Sequence, residues 1–204
     1  VDPVYKGSVY DLGFVENSTS YWVSEVALAT STPTNALPSY CVPYMGSSGC
    51  NLSDYINDFI LEDNLGTKLI EHLGSGCSAG AYDDLTGNPA YTATLVAGET
   101  YDFKATFGTS SQYLRIWIDY DGNGSFEDAG EFVFHATSAG SSTIATTGSF
   151  TIPADSPAVN TVMRVRTTWS TGTADSCTQA GSYGEVHDYK VVIIGQDVLC
   201  ASDR

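Results

Sequence analysis

A chain of 204 residues carrying a formal charge of −16, from 24 acidic against 8 basic side chains, repels nucleic acid and the anionic face of a membrane, and neither is expected as a partner. Its 20 Gly and 13 Tyr, set among abundant Ser and Thr, disfavour long helices and favour short strands joined by tight turns. The length suits one β-sandwich-sized core, and no apolar run is long enough for a membrane span.

Residues 1–38 read as an irregular approach segment closing on the linker-like STPTNALP. Its alternating run, YWVSEVALA, reads equally well as an extra edge strand. Because the sequence opens on Val1 rather than Met, the expectation is a processed or excised piece of a larger protein.

Residues 39–194 carry a regular beat of alternating runs: YINDFILED, AYTATLVA, TYDFKATFG, YLRIWIDY, EFVFHAT, TGSFTIP, TVMRVRTTW and VHDYKVVII, each bounded by Gly, Pro, Asn, Asp or Ser. Eight or more strands at this spacing predict an all-β fold, an antiparallel β-sandwich of jelly-roll type, with residues 195–204 as a tail. Alternation places Tyr101, Phe103, Ala105 and Phe107 on one core face. It also sends Leu114, Ile116 and Ile118 inward and leaves Trp117 as an outward aromatic. In the penultimate run, Met163, Val165, Thr167 and Trp169 are expected inward, and Arg164 and Arg166 outward.

Cysteines stand at 41, 50, 77, 177 and 200, with no CxxC pair, a pattern that favours disulfides in an oxidising, extracellular compartment over a zinc site. Turn-rich PYMGSSG between Cys41 and Cys50 favours a local clip, which leaves Cys77 for Cys177 and Cys200 unpaired.

The most specific local signal follows the YLRIWIDY run. Asp119, Asp121, Asn123 and Gly124 reproduce the first half of a calcium loop, D-x-[DN]-x-[DN]-G, in which alternate oxygen-bearing side chains share a concave face and a glycine permits the sharp turn. The Ser125 carbonyl is placed to add a ligand. Gly130 stands where a helical calcium loop has its bidentate carboxylate, so Asp128 or Glu131 must substitute, and the loop lies between strands. An Asp- and Gly-rich turn with self-capping side chains is the competing reading.

Taken together, YCVPYMGSSGC, LSDYINDFIL, CSAGAYDD, WIDYDGNGSFEDAGE, SFTIPAD, VMRVRTTW and YGEVHDYKVVI resemble the GEVED domain over about residues 39–194. The motif that names the family reads GEVEDY; here it is Gly184-Glu185-Val186-His187-Asp188-Tyr189, with His187 in place of an acid. The resemblance implies a non-catalytic β-sandwich module attached to secreted bacterial proteases, glycan-degrading enzymes or adhesins.

Two roles stand open for the motif's charges. Glu185 and Asp188 can serve as cross-strand counter-ions of Arg164 and Arg166. Alternatively, they and the arginines line a polar groove for sugar hydroxyls beside Trp117, Trp169 and Tyr183. No nucleophile or zinc-spaced partner accompanies His72, His135 or His187, so no enzyme is expected. The function expected is a monomeric accessory module binding polysaccharide, neutral or calcium-bridged, with structural Ca2+. The rival is a calcium-stiffened spacer or adhesin segment that contacts protein. Exposed aromatics favour the first and buried ones the second.

Overall fold

The computed structural model describes residues 28–46, 48–170, 175–178 and 183–198. Its strands are β1 (Leu28–Ser31), β2 (Ile56–Glu62), β3 (Lys68–Leu73), β4 (Tyr82–Asp84), β5 (Thr92–Val96), β6 (Thr100–Phe107), β7 (Gln112–Ile118), β8 (Phe132–His135), β9 (Thr146–Thr151), β10 (Val159–Trp169) and β11 (Gly184–Val198). They build an all-β sandwich of two sheets. The first, ordered β3-β2-β6-β9, is antiparallel; the second follows β1-β11-β10-β7-β8.

Each of the eight expected runs contains a strand. Two further strands, β3 and β4, lie outside them. In β3 the inward alternation of Ile70 and His72 is masked by Leu69 and the exposed Leu73 on the opposite side. The second sheet is also not purely antiparallel, because β4 and β5 pair in parallel with β11. Beyond them β1 pairs with residues 195–198 of the same strand, and residues 21–27 of the expected edge-strand run lie outside the described residues.

Period-2 alternation explains the core. Tyr101, Phe103, Ala105 and Phe107 of β6 meet Leu114, Ile116 and Ile118 of β7, Met163 and Val165 of β10, and Tyr189, Val191 and Ile193 of β11. Phe59 of β2 joins the sheets by stacking on Phe103 at 6.4 Å and on Tyr189 at 5.2 Å between ring centroids.

The outer face of β7, β10 and β11 departs from expectation, for it too is buried. Residues 35–50 and the acidic loop after β7 fold across it. Trp117 is therefore 5% exposed and packs with Phe126 and Val162, while Met45, Cys50 and Ala81 cover Val186. Arg164 and Arg166 do point away from the core, but into this second layer, and both are fully buried. Trp169, expected inward, sits at the end of β10 and is half exposed. At Gly184 (φ 144°) a Cβ would fall 2.1 Å from the Thr167 carbonyl oxygen, so β11 can approach β10 here only as glycine.

The disulfides join Cys41 to Cys177 and Cys50 to Cys77, not the pairs expected from the sequence. Residues 41–50 are a strap, not a clip. Cys41 is held over Arg164, which binds its carbonyl, beside the loop that carries Cys177; Cys50 is buried against Ala81, four residues from Cys77. Cys200 lies outside the described residues.

On the chain-entropy account, closing 136 residues restrains the unfolded state by about 5 kcal/mol and closing 27 residues by about 3.5 kcal/mol. Paired Cys41→Ser and Cys177→Ser substitutions should therefore lower stability in chemical denaturation more than paired Cys50→Ser and Cys77→Ser. Peptide mapping without reductant should recover the 41–177 and 50–77 links.

Candidate functional site

After Ile118 the chain leaves β7 through Asp119, whose buried carboxylate organises the turn. It accepts hydrogen bonds from the backbone N–H groups of Gly122 (2.6 Å), Asn123 (3.3 Å) and Gly124 (2.9 Å) and from the Tyr40 hydroxyl (2.7 Å). Gly124, at φ 87°, brings the loop within van der Waals reach of Ser39, where a Cβ would stand 2.8 Å from a carbonyl oxygen. Asp121 accepts from the Asn123 backbone and side chain, and the Asn123 amide reaches on to Asp128 at 2.8 Å. The Asn123 side-chain oxygen Oδ1 accepts from the Ser125 N–H. Such a loop caps itself extensively, as the hairpin reading requires.

Glu131 does not fit that reading. It is 2% exposed, and its Oε1 accepts from the Tyr120 N–H at 2.9 Å, but its Oε2 is buried with no hydrogen-bond partner. Burial, with Asp119 and Asp121 nearby, pushes the Glu131 carboxyl up to about 7. Carboxylate oxygens of Asp119, Asp121 and Glu131 come within 4.8 Å of one another. Beside them lies a cavity of about 250 Å³ lined by Asp121, Asp128 and Glu131 from this loop and by Asp155 and Ser156 from the turn between β9 and β10. The Ser156 hydroxyl is also buried without a partner.

Of the expected ligands, then, Asp119, Asp121 and Glu131 form the cluster, Asp128 shares the cavity, and Asn123 and Ser125 brace the turn. Asp155 and Ser156 went unseen, because only the packing of β9 and β10 against β7 brings the PADSP turn to this loop. The side-chain donors gathered here are oxygens alone, the type that a hard cation takes.

The expected groove around the GEVHDY motif is interior instead. Arg164 binds both oxygens of Asp188, at 2.7 and 2.6 Å, and its remaining donors reach the carbonyls of Ser176 and Cys41. Its guanidinium lies 4.9 Å from the Phe126 ring centroid and 5.9 Å from that of Tyr82. Glu185 points to the opposite side of β11. There it accepts from the backbone of Ile56 at 2.9 Å and of Ser78 at 2.7 Å, tying the two sheets together rather than pairing with Arg166. Arg166 donates to the carbonyls of Asp175 and Thr178. Only Trp169 and Tyr183, edge to face at 6.0 Å, keep a surface position among the groove candidates.

Two of the three histidines, read as isolated in the sequence, meet in the core. The Tyr189 hydroxyl lies 3.0 Å from His72 Nδ1 and 3.1 Å from His187 Nδ1. A hydroxyl carries one proton, so one ring accepts from it while the other donates to it. His187 Nε2 is 3.2 Å from Glu185 Oε2, without hydrogen-bond geometry. All these groups are buried.

One family model matches the chain: the GEVED domain, over residues 113–192. The match covers less than half of the chain. It runs from β7 through the acidic loop, β8, β9 and the buried arginines of β10 into β11, so it takes in strands of both sheets, while β1 to β6 precede it. GEVED domains are accessory domains of larger proteins. No curated protein matches the chain.

Burial and the neighbouring His187 lower the His72 pKa from 6.5. Because the folded state disfavours the protonated ring, the stabilisation is complete above about pH 6.5 and declines as pH falls below it. Replacing His72 with Gln should flatten the fall in melting temperature between pH 7 and 5. Reading this as the difference between the two proteins removes Glu131, whose raised pKa acts in the opposite sense.

Proposed function

We propose that this chain is a non-catalytic accessory domain of a secreted bacterial protein, a rigid spacer whose acidic loop holds a structural Ca2+. The observation that carries the cation is the buried, unpartnered Glu131 Oε2 beside a cavity that Asp121, Asp128, Asp155 and Ser156 also line. Gathering this many carboxylates is unfavourable unless a cation compensates them. Calcium takes six to eight oxygens in flexible geometry, which suits a donor set from two loops better than the strict octahedron of magnesium. Asp119, Asp121, Asp128, Glu131 and Asp155 would hold the ion, and its service is to fasten the β9–β10 turn to the loop after β7.

Support for the spacer role comes from the fate of the groove candidates: Trp117, Arg164, Arg166, Glu185 and Asp188 are all buried. Secretion rests on the two disulfides, and among the described residues no helix is long and apolar enough to cross a membrane. Polysaccharide binding is the second reading, favoured by one feature, the half-exposed Trp169 beside Tyr183. Affinity electrophoresis through a panel of neutral and acidic glycans, with native protein and Trp169→Ala, separates the two. Retardation that disappears in the variant supports glycan binding.

For the cation, thermal unfolding in calcium and in chelator is the direct measurement. Calcium at about 100 times its dissociation constant should stabilise the native protein by about 2.7 kcal/mol, a rise of several degrees. Glu131→Gln should abolish the rise while leaving stability in chelator equal or higher, since it removes an uncompensated buried carboxylate. An unchanged melting temperature for the native protein in the two conditions rules the site out.

A further inference from the structure

The outer face of the second sheet contains a pair of positive charges with buried N–H donors that no described residue satisfies. Arg115 of β7 stands directly opposite Arg166 of β10 in the ladder, so the two side chains share one face. Both are buried, at 4% and 0% exposure. Arg115 makes no hydrogen bond or ion pair among the described residues, and its Nη1 is buried and unsatisfied. On Arg166, Nη1 donates to two backbone carbonyls, but Nε and Nη2 are buried without partners.

Among the described residues no carboxylate forms an ion pair with either. The row across the sheet reads His135, Arg115, Arg166, Val186. Asp188, in the adjacent row, has both oxygens bound by Arg164 and one shared with the Tyr82 hydroxyl. Asp175, the carboxylate that acts on Arg166 through space, binds the backbone of Cys177 and Thr178 and the Thr178 hydroxyl, and contributes only its carbonyl to Arg166. Burial is the main reason the Arg166 pKa falls to about 10, and Arg164 and Arg115 beside it add to the fall. At neutral pH both guanidiniums remain charged.

A buried, unpaired guanidinium is strongly unfavourable, and leaving N–H donors of a charged group unsatisfied adds to the penalty. Two such groups side by side, in a chain with 24 acidic side chains, mark a place for a negative group from outside it. Guanidinium forks match carboxylate and sulfate oxygens in shape and charge. Access is from the β8 edge, where the exposed His135 is the neighbour of Arg115. The burial restricts the occupant to a small group, not a chain laid along a surface.

We infer that Arg115 and Arg166 form a binding site for one oxyanion of the sulfate or carboxylate class, held by Arg115 Nη1 and by Arg166 Nε and Nη2. This site is independent of the calcium loop and of Trp169. Its chemistry suits a free inorganic ion or the sulfate ester of a glycan equally, and the glycan arm of the test below tells them apart.

The test uses the whole 204-residue chain, with sodium sulfate as probe titrated against sodium chloride at constant ionic strength. Arginine Nε–H resonances are followed by 15N NMR and heats by calorimetry. Sulfate should shift the Arg166 Nε–H signal saturably in native protein, and Arg115→Met should weaken binding by roughly tenfold or more, as expected for the loss of hydrogen bonds to a charged group. Arg115→Met rather than an Arg166 variant is chosen because Arg166 also anchors two carbonyls. No saturable shift in native protein, or an equal response in native and Arg115→Met, overturns the site and leaves water as the partner of these donors. Once sulfate binding is established, a sulfated polysaccharide that competes with it identifies an ester as the occupant, and one that does not identifies the free ion.

Discussion

Arg164 lies at the centre of the second layer that closes the outer face of the larger sheet. A guanidinium taken out of water must have its charge compensated and its donors satisfied. Asp188 provides the charge through a bidentate contact across the β10–β11 ladder, and the carbonyls of Cys41 and Ser176 occupy the other donors. The two carbonyls belong to segments far apart in the chain that the Cys41–Cys177 disulfide locks together. Tyr82 and Phe126 enclose the cation with their rings, and the Tyr82 hydroxyl binds Asp188 at 2.8 Å. Losing Asp188 would thus leave a buried charge uncompensated and unseat the strap that covers Val186, which accounts for an acid at that position of the GEVHDY motif without any ligand.

Local alternation made the strands and the inner face legible. In β6 and β7 the pattern alone gave the core positions, because a half-buried strand shows its inward residues at every second place. What it could not give was the far side. Arg115, Trp117, Arg164, Arg166 and Asp188 have the look of a solvated face, and only the folding back of residues 35–50 and of the acidic loop turns that face into an interior. Cysteine pairing failed for the same reason. Proximity in sequence favoured Cys41 with Cys50, whereas the strap holding them runs across the sheet and anchors each end to a different element.

The acidic loop was visible because its oxygen-bearing side chains lie close together in sequence, and Asp155 and Ser156 were not because they arrive from another turn. Glu185 and His187 taught a related lesson about period. A motif written as one charged string divides between two faces of a strand, so that Asp188 serves the outer layer while Glu185 receives backbone N–H groups from Ile56 of the opposite sheet and from Ser78, and His187 meets Tyr189 and His72 in the core. Residues adjacent in the motif therefore act in separate compartments of the fold.

The pairing of β1 with the end of β11 sets how the domain carries tension. Leu28 faces Val198, so the chain enters and leaves at the same end of an antiparallel pair. Pulling on the flanking residues opens that pair one rung after another, like a zipper, instead of shearing all of its hydrogen bonds at once. Once β1 has peeled away, the load falls on β11, which lies outside the loop closed by Cys41 and Cys177 and is held in the sheet by β10, β4 and β5. Strands β2 to β10 all lie inside that covalent loop, so even after β11 is drawn out the disulfide keeps the chain between them from being pulled straight.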